Sequence, residues 1–144
     1  MEPPKETQKR QIAYKISIKD IFQGKYVQQE GWNPNYIESF DGKKISRVNI
    51  IGIVLSKEDN QETSYKSILI DDGSGTISAK SFGEDSGILQ NIQIGDPVLI
   101  IGRIKEYNSE LHILIEIIKK LEDPKWIEIR KIELEKNKIN VIVV

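Results

Sequence analysis

Apolar and polar positions alternate most regularly through the middle of the chain. Residues 46–57 (SRVNIIGIVLSK), 65–71 (YKSILID), 76–82 (TISAKSF), 98–105 and 110–121 each read as a strand, rich in the β-branched residues that suit a pleated surface. Asp71-Asp72-Gly73-Ser74-Gly75 is a strong turn between the second and third of these, and Tyr107-Asn108-Ser109 is a turn between the fourth and fifth. Residues 57–64 form a polar loop. The mostly polar stretch 83–92, with Ile88, Leu89 and Ile92 its apolar positions, predicts a short helix or loop, and Gly95-Asp96-Pro97 leads into the fourth strand. Gly52 and Gly102 fall in the middle of the two long strands, where a glycine marks a bulge or a sharp bend.

The flanks are less regular. Ile12, Tyr14, Ile16 and Ile18 alternate with polar residues as a strand or extended arm would. Ser17 is placed to cap a helical turn over residues 19–23 that Gly24 ends. Residues 31–36 (GWNPNY) read as a loop carrying Trp32 and Tyr36. Beyond the last strand, Asp123-Pro124 has the chemistry of a helix start and predicts a helix over residues 126–136, whereas residues 139–144 (INVIVV) are strand-prone. The pattern divides the chain into an N-terminal tail and extension (1–42), a β domain (43–121) and a C-terminal helix with an apolar tail (122–144). Strand order, the helical connection between strands three and four and the two bend glycines predict an all-β, five-stranded Greek-key barrel of the oligonucleotide-binding (OB) type with a C-terminal helix.

Composition narrows the chemistry. There is no cysteine, so disulfides, thiolate metal sites and cysteine nucleophiles are excluded. His112 is the single histidine, no carboxylates cluster around it, and Asp71 and Asp72 belong to a turn rather than to two sides of a cleft. No phosphate-binding glycine loop is present. We therefore expect no metal, no cofactor and no enzymatic activity. Residues 1–10 are polar and proline-bearing, unlike a signal peptide, and no apolar run approaches the roughly 20 residues of a membrane helix, so a cytoplasmic protein is expected. The formal net charge of −1 is low for a nucleic-acid binder, because phosphate neutralisation supplies much of the affinity. Binding would need a local basic patch, or charge supplied by partners.

The stretches KISRVNIIGIV, ILIDDGSGTISAKSF and IQIGDPVLIIGRIKEYNSELHIL, flanked by YVQQEGWNPNYI and DPKWIEIRKIELE, resemble the middle subunit of replication protein A, and its archaeal members most of all, over residues 12–136. The resemblance implies a single-stranded DNA-binding subunit of a heterotrimer, partnered by a large multi-OB subunit and a small subunit, in DNA replication, repair and recombination. It also implies that the helix after the barrel, residues 123–136, serves assembly. Many members carry a C-terminal winged-helix module, which is not expected in a chain ending at Val144.

A single-strand site needs aromatic platforms for bases and cations for phosphates. On OB folds it occupies the surface of strands two and three and the adjoining hairpin loops. Phe82 and Tyr107 match positions where the family carries aromatic stackers. Lys80 lies two residues before Phe82, hence on the same face of its strand, and Lys66, Ser78, Arg103 and Lys105 would complete a phosphate track. Trp32 and Tyr36 are expected to pack the loop rather than to stack on bases. Trp126, Ile129, Ile132 and Leu134 are the expected partner surface of the C-terminal helix. Two other readings remain open at this level: a scaffold that bridges partners with little DNA contact, and an OB protein for RNA or telomere-like ends.

Overall fold

The computed structural model describes residues 12–60, 62 and 65–142. The chain begins with strand β1 (Tyr14–Lys15), helix α1 (Ile18–Gln23) and the short strands β2 (Lys25–Val27), β3 (Tyr36–Glu38) and β4 (Lys44–Ile45). The long strands follow: β5 (Arg47–Asn60), β6 (Tyr65–Asp71) and β7 (Thr76–Phe82), then a 3-10 helix (Gly83–Leu89), β8 (Pro97–Tyr107), β9 (Glu110–Lys120) and helix α2 (Lys125–Ile142).

β5 organises the rest. Its first half pairs with β8, from Arg47 opposite Arg103 to Ile53 opposite Pro97, and its second half pairs with β6, from Ile53 opposite Asp71 to Asn60 opposite Tyr65. The change of neighbour falls at Gly52 and Ile53. A Cβ on Gly52 would stand 2.5 Å from Ile70 Cγ2 and 2.7 Å from the Asp71 carbonyl oxygen, so only glycine lets the strands approach this closely. Gly102 does the same on β8, where a Cβ would run into the Leu114 carbonyl oxygen and the β8–β9 register shifts beside it. Pairings β5–β6, β6–β7, β7–β9, β9–β8 and β8–β5 return to their starting strand, so the sheet closes on itself. β1 adds a sixth strand parallel to β5, and β2, β3 and β4 make a separate three-stranded sheet; neither addition is visible in the five-strand pattern of the sequence.

The interior is built from isoleucine. Ile50, Ile68, Ile70, Ile77, Ile100 and Ile113 are fully buried, each contributing about 1.5–3 kcal/mol. Ile16, Ile18, Ile21 and Ile37 join the same cluster, so the segment before β5 is part of the core of the closed sheet. The Ile12–Ile18 alternation is therefore only briefly a strand: Ser17 accepts from the Asp20 N–H and starts α1, which turns Ile18 and Ile21 inward. The acidic turn fixes this helix. Asp72 accepts from the Ile18 N–H at 2.9 Å, and Ser74 Oγ accepts from the Lys19 N–H at 3.1 Å.

α2 begins as the sequence indicates, with Asp123 Oδ1 accepting from the Lys125 N–H at 2.9 Å. It runs further than expected. Residues 139–142 are helical rather than strand, because nothing between Lys136 and Ile142 stops propagation and each added residue gains a hydrogen bond; Val143 and Val144 lie outside the described residues. α2 is held to β5 by Arg130, 6% exposed, whose guanidinium donates to Asn49 O at 2.8 Å and Asn49 Oδ1 at 2.9 Å. Glu133 pairs with Lys15 on β1 at 2.7 Å.

Gly52→Ala should cost about 1–3 kcal/mol of stability, the usual range for overpacking. The shift in urea midpoint measures it.

Candidate nucleic-acid interface

β6 and β7 fold back around the Asp72–Gly75 turn in a register that sets Tyr65 opposite Phe82, Ser67 opposite Lys80 and Leu69 opposite Ser78. Alternation puts these residues on the outer face, while Ile68, Ile70, Ile77 and Ala79 fill the core. The Tyr65 and Phe82 ring centroids are 5.5 Å apart with planes at 48°, and Lys80 Nζ stands 5.1 Å from the Tyr65 centroid. Phe82 is 44% exposed. The connecting 3-10 helix leaves it open because Leu89 and Ile92 are the residues that turn inward there, their carbonyl oxygens accepting from Lys57 Nζ at 2.7 and 2.9 Å.

β9 extends this face. It runs parallel to β7, with His112 beside Ser78 and Leu114 beside Lys80, and antiparallel to β8, which adds Arg103 opposite Leu114, Lys105 opposite His112 and Tyr107 opposite Glu110. Asn108 and Ser109 take φ of 52° and 64°, the left-handed pair that a tight two-residue hairpin requires, and the hairpin presents Tyr107 at 67% exposure. Three hollows follow the β7–β9 seam. One of about 550 Å³ lies between Phe82, Arg103 and Leu114. The next, about 290 Å³, lies between Lys80, His112 and Tyr107. The third, about 600 Å³, shares Ser78, Glu110 and Leu111 with the second and reaches Phe22 and Tyr26.

The structure thus brings Phe82, Lys80, Ser78, Arg103, Lys105 and Tyr107 to one face. Lys66 does not join them: it pairs with Ser81, and the pleat sends it to the opposite side from Lys80. Glu116 partly neutralises this end of the track, pairing with Arg47 at 2.7 Å and lying 3.8 Å from Arg103. Burial, then the charges of Lys80 and Lys105, holds the His112 pKa below its usual range. Trp32 is fully exposed on its loop, whereas Tyr36 is half-buried in β3 with Lys44 Nζ 5.5 Å from its ring centroid.

Tyr65 and His112 are the residues that sequence reasoning missed. Tyr65 was legible: reflecting the chain through the Asp71–Thr76 pair sets 65 against 82. His112 depends on the parallel β7–β9 contact, which no local pattern announces. On α2, Trp126, Ile129 and Ile132 form an exposed stripe, while Leu134 is half-buried and lines a cleft with Tyr14 and Ile45. No group of three or more histidine, cysteine or acidic residues that could hold a metal occurs among the described residues. No helix among them is long and apolar enough to cross a membrane.

A closed sheet carrying paired aromatics and cations along an open seam is the architecture of an oligonucleotide-binding domain. The chain belongs to the OB-fold nucleic acid binding domain family, which matches residues 48–121. An uncharacterised protein of Methanocaldococcus jannaschii is 31% identical over 129 residues, covering 90% of this chain and 49% of its own, so the chain spans about half the length of that relative. Yeast replication protein A bound to single-stranded DNA matches with TM-score 0.66 and 26% identity, over 87% of this chain and 88% of that one. Two further structures share the fold. A replication protein A heterotrimer bound to single-stranded DNA has TM-score 0.73 at 14% identity, over 91% of this chain and 98% of its own. The Stn1–Ten1 complex of S. pombe has TM-score 0.75 at 17% identity, over 91% and 94%.

His112 makes stability pH-dependent. Above its unfolded pKa of about 6.5 the imidazole is neutral in both states. As pH falls below that value the unfolded chain takes up the proton first, and the native state loses stability until its own lower pKa is reached. Urea midpoints between pH 5 and 8 should show wild type losing stability relative to His112→Leu as pH falls.

Proposed function

We propose that the protein is a single-stranded DNA-binding subunit of a replication protein A-like heterotrimer, of the archaeal middle-subunit kind, acting in DNA replication, repair and recombination rather than as an enzyme. Its site of action is then the cytoplasm, on nucleoid DNA. In this reading the closed sheet is the five-stranded Greek-key barrel of that family, with β1 and the small sheet as additions.

The observation that carries it is the Tyr65–Phe82–Lys80 cluster and its continuation to Tyr107. Two exposed aromatic side chains, with Lys80, Arg103 and Lys105 on the same face, supply the stacking platforms and the cations that an unpaired strand needs, and stacking tolerates any sequence. The likeness to yeast replication protein A bound to single-stranded DNA supports the ligand. Three cations make a weak grip, consistent with the net charge of −1 and with a subunit that adds to binding provided mainly by a larger partner.

The exposed stripe Trp126, Ile129 and Ile132 supports the second half of the proposal, assembly through α2 with a large multi-OB subunit and a small one. It also favours a second reading, a scaffold with little DNA contact of its own.

Fluorescence anisotropy with labelled oligo-dT separates the two. Binding should weaken with salt at a log–log slope of about −2, from three phosphate contacts at about 0.7 each. Phe82→Ala and Tyr107→Ala should each weaken it about tenfold, one stacked base apiece. Binding unaffected by both substitutions contradicts the site, and its complete absence favours the scaffold.

A further inference from the structure

The seam does not end at Tyr107. Past Ser78 it opens into the largest of the three hollows, about 600 Å³, which is the size of a pocket for a small ligand. Its walls come from three separate parts of the chain. Leu69, Thr76 and Ser78 continue the outer face of β6 and β7; Glu106 and Glu110 stand on the β8–β9 hairpin; Phe22 and Tyr26 are contributed by α1 and β2. Phe22 is the telling residue. α1 turns Ile18 and Ile21 fully inward, yet leaves Phe22 half exposed on the wall of the groove.

The charge on this hollow is opposite to that of its neighbour. Lys80 lines the second hollow, and Lys105 pairs with His112 on its wall. Among the described residues, the lining of the third contains no cation and two carboxylates, Glu106 and Glu110, with Glu110 common to both. A phosphate would be repelled here. A base would not: it can stack on an aromatic ring, and a carboxylate accepts hydrogen bonds from base N–H groups. Guanine suits such an edge best, since its N1–H and N2–H₂ donors lie side by side and can be taken by the two oxygens of one carboxylate. Thymine offers a single N3–H flanked by two carbonyl oxygens, which a carboxylate repels.

We infer that the hollow between Phe22, Glu110 and Glu106 is a base subsite selective for an unpaired guanine at one end of the bound strand. This rests on the single-strand reading of the Phe82–Tyr107 seam and adds to it a contact that discriminates among bases, where stacking alone does not.

The test uses the full chain and a labelled dT oligonucleotide in which one dG replaces dT at each position in turn. A single dG near one end should raise affinity about tenfold, the usual worth of one bidentate base contact, and dG elsewhere should have little effect. Glu110→Gln or Glu106→Gln should remove most of the gain, and Glu106→Gln, which lies outside the second hollow, should leave all-dT binding in place. Phe22→Ala and the bulkier, non-aromatic Phe22→Leu should both reduce it, the second guarding against a simple packing defect in α1. Equal affinity for all dG positions, or a dG gain that survives both glutamine variants, overturns the subsite while the single-strand reading stands. Failure of the wild-type chain to bind any of the oligonucleotides overturns both.

Discussion

The close approach of β5 to two neighbours at Gly52 governs this structure. One strand pairs with β8 along its first half and with β6 along its second, and the crossover is possible only where no side chain separates Ile70 and the Asp71 carbonyl from the β5 backbone. Closure follows, because β8 must then meet β9 and β9 must meet β7 to complete the ring. Gly102 allows the second tight bend on the same terms. With the ring closed, alternate residues of each strand face a packed isoleucine core and the others face outward. That alternation places Phe82, Lys80 and Ser78 together on the outside while Ser81 and Ala79 turn in.

The same geometry explains how a chain of nearly neutral charge can present a basic track. Several acidic residues are engaged elsewhere. Asp71 and Asp72 close the turn and hold the N-terminus of α1, and Glu133 fastens α2 to β1. Glu116 draws on Arg47 and Arg103 beside the seam, and Glu106 and Glu110 line its far end. The parallel contact of β7 with β9 is short, with three aligned residue pairs, and the open seam beside it is where the aromatic and cationic side chains gather. Two kinds of surface result: a groove along the closed sheet, and the apolar stripe of α2 on a helix that Arg130 anchors to Asn49.

Much of this was legible in the residues. β6 and β7 begin and end where alternation and the Asp-Gly turn indicate, Ser17 caps its helix, and Gly52 marks the crossover. The position of Lys66 was also decidable, since odd and even residues of β6 face opposite ways, and its neighbour Tyr65 is the one that meets Phe82. What lay outside local reasoning depends on contacts distant in sequence. The burial of His112, the sixth strand β1 and the arrival of Phe22 and Tyr26 at the groove are fixed only when the ring closes and α1 packs against it. The helical course of residues 139–142 is a different case. β-branched residues there favour a strand in isolation, and the helix already under way overrides that preference.

The proposed single-strand site is tested most directly by locating where oligo-dT lies on the closed sheet. Amide hydrogen exchange of the full chain with and without oligo-dT locates it directly. Slowed exchange should fall on β7, on the start of β6 at Tyr65 and on the β8–β9 hairpin around Tyr107, with α2 unchanged. A binding footprint confined to α2, or to β1 and the small sheet, would contradict it.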